Sequence, residues 1–212
     1  MEVRTIEAVV HGRVLYERRS DARLLVGFHG YAENAERHML ELQKIPGIDS
    51  WSVAAVQALH PFYPKRGGGD DIVASWMTRL DREMAIAENV EYVRRALAAI
   101  WRDASGEPRV VFAGFSQGVA MAYRAAAFAA PASGVIALAG DVPPDVAAAE
   151  VKLPPVLVGR GKRDDWYSAD RMERDIAYLR GVTDLTVSIF DGAHEWSDEF
   201  RTAAGEFLSR FS

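Results

Sequence analysis

Arg109-Val-Val-Phe-Ala-Gly-Phe-Ser-Gln-Gly-Val119 is the stretch on which the reading of this chain turns. Its first five residues, Arg109–Ala113, have the composition of a buried strand. From Val119 to Ala130 the sequence is alanine-rich and reads as a helix. Between the two, Gly114-Phe115-Ser116-Gln117-Gly118 has the form G-x-S-x-G. A serine on a sharp strand-to-helix turn needs glycines around it, because the backbone there is strained and the helix packs close behind. The pattern alone is short, and a glycine-rich turn without chemistry would also produce it. The strand before it and the helix after it give it weight.

Outward from this point a pattern repeats: a short apolar strand, a loop containing glycine, and an amphipathic helix. Strands are predicted at Arg23–Phe28, Ser52–Ala58, Gly134–Ala139, Val156–Gly159 and Leu185–Phe190, besides Arg109–Ala113. Ile86, Val90, Val93, Leu97 and Ile100 form one helical stripe. Met172, Ile176 and Leu179 form another, with Ser168 as N-cap and Gly181 as the expected stop. Phe200, Ala204, Phe207 and Phe211 mark a last helix, with Asp198 and Glu199 in the first turn, where the helix dipole favours acids. The opening, Thr5 to Glu17, is β-rich and broken by His11-Gly12, which suggests an antiparallel hairpin. Strands alternating with helices imply a mostly parallel sheet covered on both faces, with chemistry at the carboxyl ends of its strands.

A nucleophilic serine needs a base. His194 stands in the short loop Asp191-Gly-Ala-His-Glu195 after the strand Leu185–Phe190, at the same sheet edge as Ser116. His11, His38 and His60 read as surface or packing residues. The acid that orients the base belongs between serine and histidine in chain order. Asp164 and Asp165 follow the strand Val156–Gly159, and Asp141 follows Gly134–Ala139. For any one of them a helix cap or a solvated charge is the ordinary role. The demand for a group that holds the imidazole tautomer favours Asp164. Two backbone N–H groups must also face the developing oxyanion. One is assigned to Gln117, after the nucleophile, and the other to Tyr31, after His29-Gly30 at the end of an early strand. His29 is then expected to hold that loop.

Composition excludes other chemistries. A formal charge of −5 and a pI near 5.6 leave no basic excess for nucleic acid; the basic pairs Arg18-Arg19, Lys65-Arg66 and Arg94-Arg95 lie scattered among acids. There is no cysteine, hence no disulfide and no thiolate metal site, which fits a reducing compartment. No HExxH motif or cysteine cluster suggests a metal, and Gly67-Gly-Gly69 lacks the Lys-Ser/Thr of a phosphate-binding loop. Ala113–Gly140 carries Arg124 as its one charge, but Gln117, Pro131 and several glycines mark it as a buried helix and strand rather than a membrane span. The opening residues show no secretory signal.

Taken together, these residues resemble the phospholipase/carboxylesterase family of small α/β-hydrolases, which includes acyl-protein thioesterases. The resemblance spans nearly the whole chain: His29-Gly30, Trp76 before a helix, Gly114-Phe-Ser-Gln-Gly118, Gly161-x-x-Asp164 and Gly192-x-His194. It implies a triad of Ser116, Asp164 and His194, with the N–H groups of Tyr31 and Gln117 as the oxyanion hole. Three departures bear on the substrate. Thioesterase-like members usually have a second glycine soon after His-Gly, where this chain reads Tyr31-Ala-Glu-Asn34. An aromatic and an aspartate usually follow the tryptophan, where Met77-Thr78 stands, and Pro-Val-Val usually follows the acid, where Asp165-Trp-Tyr167 stands.

The expectation is therefore one α/β-hydrolase domain over residues 1–212: a mostly parallel sheet, helices on both faces, an N-terminal antiparallel hairpin, and no large cap. Its activity is hydrolysis of a small-molecule carboxylic ester or thioester through an acyl-enzyme. Phe62, Tyr63, Trp76 and Trp166, with Tyr167 and Trp196, crowd the site loops and suggest an apolar acyl pocket. No cofactor and no metal are expected, nor any nucleic-acid partner or integral membrane segment. A homo-oligomer is compatible with the sequence, and the expected location is cytoplasmic. The rival readings are a peptidase or amidase on the same fold, and a non-catalytic ligand-binding protein.

Overall fold

The computed structural model describes residues 1–65, 71–102, 106 and 108–211; Gly67-Gly-Gly69 and Arg66 lie outside them. The expected strands form, and they assemble into a seven-stranded sheet of order β1-β3-β2-β6-β7-β8-β9. In chain order these are β1 (Val14–Glu17), β2 (Arg23–Phe28), β3 (Ser52–Val56), β6 (Arg109–Phe115), β7 (Gly134–Leu138), β8 (Val156–Gly161) and β9 (Leu185–Phe190). A small antiparallel pair, β4 (His60–Phe62) and β5 (Val73–Ser75), stands apart from the main sheet.

All pairings in the main sheet from β3 through β9 are parallel, and β1 alone runs antiparallel. The antiparallel N-terminal element is therefore present, with β3 as its partner: Val14 faces Val56 and Glu17 faces Val53. Residues 1–13 form no strand, and Met1, Val3, Ile6 and Val9 are exposed. Their β-prone side chains find no buried face, so local propensity has nothing to pack against.

Helices α1 (Ala35–Leu42) and α6 (Asp198–Ser209) cover one face of the sheet, where Leu42, Trp51, Phe190, Phe200 and Phe207 form one core cluster. Helices α2 (Arg82–Trp101), α3 (Gln117–Arg124) and α5 (Ala169–Val182) cover the other, with Val93, Leu97, Tyr123, Met172 and Leu179 in the second cluster. The helical stripes read from the sequence supply these side chains. Each fully buried Leu or Phe among them contributes about 1.5–3 kcal/mol relative to exposure. A short helix, α4 (Pro144–Ala148), follows β7.

Two helix ends differ from expectation. Ser168 caps α5 as predicted, accepting from the Arg171 N–H, but Gly181 does not stop it; the helix runs on to Val182. A glycine closes a helix when the backbone must turn left-handed, and Gly181 keeps negative φ. The alanine-rich helix after Ser116 is α-helical only to Arg124 and then winds as a π-turn over Ala125–Ala129.

With its parallel sheet, helices on both faces and no large cap among the described residues, this is an α/β-hydrolase fold. No helix among the described residues is long and apolar enough to cross a membrane; Ala113–Gly140 folds as the end of β6, the helix and β7.

Candidate active site

The turn from β6 into α3 places Ser116 in a conformation that an L-residue seldom adopts, φ 52° and ψ −118°. Such strain persists only where neighbours over-determine it. Here α3 must meet the ends of both β2 and β6 at close range: a Cβ on Gly118 would overlap the carbonyl oxygens of Phe28 and His29, and one on Gly114 would meet the Gly118 backbone. Both glycines are thus required by close approach. Ser116 holds the N-cap position of α3 but makes no capping bond. Asn34, Ser168 and Ser197 each spend a side-chain oxygen capping their helix. The Ser116 hydroxyl is left for other work, at a helix N-terminus that favours negative charge.

Asp164 and His194 stand in the loops after β8 and β9. His194 Nδ1 lies 2.9 Å from Asp164 Oδ2. The other oxygen, Oδ1, accepts from the N–H groups of Trp166 and Tyr167, both at 2.9 Å. Asp164 is 1% exposed, whereas Asp165 faces solvent, which separates the two adjacent aspartates. Asp141, the third candidate, pairs with Arg171 at 3.2 Å and does not meet His194. The loops are stitched by Arg163 N to Gly192 O (2.8 Å) and by the close fit of Gly161, whose Cβ would overlap Ala193 O. That contact explains the glycine of Gly161-x-x-Asp, whereas a Cβ on Gly192 would meet the Phe190 ring.

Sequence reasoning missed the residue that holds the loop of Asp164 from within. Arg160, at the end of β8, is buried and donates from Nε to Tyr167 O (2.6 Å) and from a terminal nitrogen to Asp164 O (3.2 Å). Its one available signal was an arginine inside an apolar strand run.

After β2, His29 is buried and lies in the loop as expected. Its Nε2 accepts from Ala58 N (3.0 Å), so Nδ1 carries the proton and donates to Gly30 O (2.7 Å). Burial holds its basicity below the ordinary histidine value. The loop's amides are nearly all committed: Gly30 N donates to Glu33 Oε2 (2.7 Å), Ala32 N to Ala74 O (3.1 Å) and Glu33 N to Gly30 O (3.4 Å). The N–H of Tyr31 has no partner among the described residues, and neither has that of Gln117. The side chain of Gln117 is a clamp that the sequence did not reveal. Its Oε1 accepts from Trp76 N (2.9 Å), and its Nε2 donates to Met77 O (3.0 Å).

A cavity of about 430 Å³ opens beside these groups, and Ser116, Gln117, Trp166 and His194 line it. Of the four aromatic residues expected against the substrate, its wall holds Trp166 alone. Trp76 is fully buried, donates from Nε1 to His29 O (2.8 Å) and packs edge-on against Phe28, so its ring braces the loop after β2. Phe62 stacks on Tyr31 with ring centres 5.6 Å apart, and Tyr63 is exposed; neither reaches the cavity. The cavity wall is mixed: Met77, Ala120, Val142, Pro143 and Pro144 line it with Trp166, and so do Arg79, Arg82, Arg124 and Arg171. Trp76 was turned into the core because its large surface is favourable to bury.

Among the described residues no group of three or more His, Asp or Glu is disposed to hold a metal ion.

A family model described as Phospholipase/Carboxylesterase matches residues 11–212. No curated protein sequence matches the chain. Several solved structures share the fold. Esterase PE8 is 24% identical, over 97% of this chain and 100% of its own, with a TM-score of 0.72. The carboxylesterase of Bacillus cereus is 14% identical over 95% of each chain, with a TM-score of 0.74. Acyl-protein thioesterase 2 of Zea mays is 18% identical over 95% of this chain and 99% of its own, with a TM-score of 0.70.

Proposed function

The chain belongs to the phospholipase/carboxylesterase family, and we propose that it is a serine hydrolase that cleaves carboxylic esters or thioesters through an acyl-enzyme. Ser116 is the nucleophile, His194 its base and Asp164 the acid that orients the base. The N–H groups of Tyr31 and Gln117 form the oxyanion hole. What carries this reading is the hydrogen bond of 2.9 Å between Asp164 and His194, on the same cavity that the strained, uncapped Ser116 lines.

The chemistry follows from those positions. With Nδ1 of His194 donating to Asp164, Nε2 is left as an acceptor for the Ser116 proton. As the Oγ–carbonyl carbon bond forms, the carbonyl electron pair moves to its oxygen, which the two free N–H groups stabilise. Collapse breaks the bond to the alcohol or thiol, which leaves with the proton from His194. Water then attacks the acyl-enzyme, His194 taking its proton and returning it to Ser116 Oγ, so that a carboxylic acid departs and the enzyme is restored. Ester and thioester share every step. The family includes carboxylesterases, and the maize neighbour is named as a thioesterase. The absence of cysteine supports work in a reducing compartment, and we assign the protein to the cytoplasm.

The test is the Ser116→Ala variant, assayed with p-nitrophenyl esters and acyl thioesters and with a fluorophosphonate probe. Turnover is expected to fall on the order of a million-fold and labelling to vanish. A variant labelled as fast as the wild type would remove Ser116 from the nucleophile's role.

A further inference from the structure

Four guanidiniums border the cavity beside Ser116, on a chain whose formal charge is −5. They come from three parts of the fold. Arg79 precedes α2, Arg82 begins it, Arg124 lies two turns below Ser116 on α3, and Arg171 is in the first turn of α5. Two of them are matched. Arg124, fully buried, donates from Nε and a terminal nitrogen to the two carboxylate oxygens of Asp145, at 2.8 and 2.7 Å. Arg171 donates to Asp141 at 3.2 Å and to Trp166 O at 3.3 Å.

The other two are not matched. Arg79 and Arg82 make no hydrogen bond or ion pair among the described residues, although the field of Arg82 reaches Asp145. The acids nearest them in sequence, Asp81 and Glu83, are exposed and are not part of the cavity wall. Guanidinium cannot lose its proton, so both charges persist at any working pH. Asp141 is the one acid of the wall, and Arg171 holds it. A cavity that carries two cations without a hydrogen-bonded partner among the described residues, beside a candidate nucleophile, is well suited to an anion, which guanidinium meets with paired charge-assisted hydrogen bonds.

We propose that the cavity takes an ester or thioester whose acyl or leaving part carries an anion, a carboxylate or a phosphate, engaged by Arg79 and Arg82. This rests on the hydrolase reading above and names its substrate class.

Two matched substrate pairs test it. On the acyl side, 4-nitrophenyl hydrogen glutarate is compared with 4-nitrophenyl pentanoate, in which a methyl replaces the carboxylate. On the alcohol side, 2-(butyryloxy)ethyl phosphate is compared with 2-methoxyethyl butyrate. The readout is the ratio of kcat/KM, anionic over neutral, after subtraction of the spontaneous rate. At low salt the ratio is expected to be about tenfold to a hundredfold for at least one pair, and the favoured pair tells carboxylate from phosphate. It is expected to shrink at 1 M salt and to fall below about threefold in the double variant Arg79→Gln/Arg82→Gln. Both side chains are exposed, so the double variant is expected to fold, with circular dichroism as the check. A wild-type ratio at or below one for both pairs overturns the proposal, as does a preference that survives intact in the double variant. Neutral esters hydrolysed without anion preference leave the hydrolase reading standing. No hydrolysis of any ester and no fluorophosphonate labelling would remove that reading as well.

Discussion

Asp164 and Asp165 are neighbours with the same chemistry and opposite surroundings. Asp164 is 1% exposed and its carboxylate is engaged by His194 and by two backbone N–H groups, while Asp165 faces water. Asn at 164 keeps the shape but presents an amide that favours the wrong imidazole tautomer. Asp164→Asn is therefore expected to lower kcat about ten-thousand-fold. Asp165→Asn and Asp141→Asn should stay within about threefold when turnover is measured at neutral pH on folded protein. An active Asp164→Asn enzyme beside a dead Asp165→Asn or Asp141→Asn enzyme would sink the assignment. The spacing from Gly161 pointed to Asp164. Burial, which separates it physically from its neighbour, belongs to the folded chain.

At the scale of elements, two glycines in two helices have opposite fates. Gly118 begins the close passage of α3 over the end of β2, and a methyl there has no room against Phe28 O and His29 O. Gly181, one residue before the end of α5, has nothing within 4 Å of where a Cβ would stand. Gly118→Ala is expected to destabilise by about 1–3 kcal/mol or more. Gly181→Ala should stabilise by about 0.5–1 kcal/mol, by removing freedom from the unfolded chain without a clash. Urea midpoints of both variants check this, and a neutral Gly118→Ala would contradict the tight seating of the elbow. In sequence the two glycines look alike as punctuation; the element packed above each one decides its role.

For the molecule as a whole, acid stability should report on His38. This residue of α1 is 1% exposed, and neither ring nitrogen has a hydrogen-bond partner among the described residues. Burial, with a smaller contribution from His29, pushes its pKa down to about 3. An unfolded histidine titrates near 6.5, so below that pH the unfolded chain binds a proton that the native chain refuses. The stability His38 contributes is whole above about 6.5 and is lost as pH falls toward 3. Between pH 7 and 5 the loss is on the order of 2 kcal/mol. His38→Leu removes the linkage, so its urea midpoint should drop less over that interval than the wild type's. Equal drops would show that His38 is not buried in its neutral form.

The parts of this protein legible in the sequence were those carried by period and by short covalent spacing. Strand runs such as Arg23–Phe28, helical stripes such as Val90-Val93-Leu97, and the elbow around Ser116 are local, because the backbone repeats along one segment of chain. Their alternation already implied a parallel sheet, and hence which loops share an edge. Tertiary structure decided everything that depends on which surfaces meet. It gave β1 to β3, drew Trp76 into the core as a brace, set Gln117 as a clamp on residues 75–77, and brought four arginines from three segments to one cavity. No spacing rule links Arg79 to Arg171. Their common wall exists only because the sheet folds α2, α3 and α5 over the same end of its face, and charge in a cavity is a property of that assembly rather than of any segment within it.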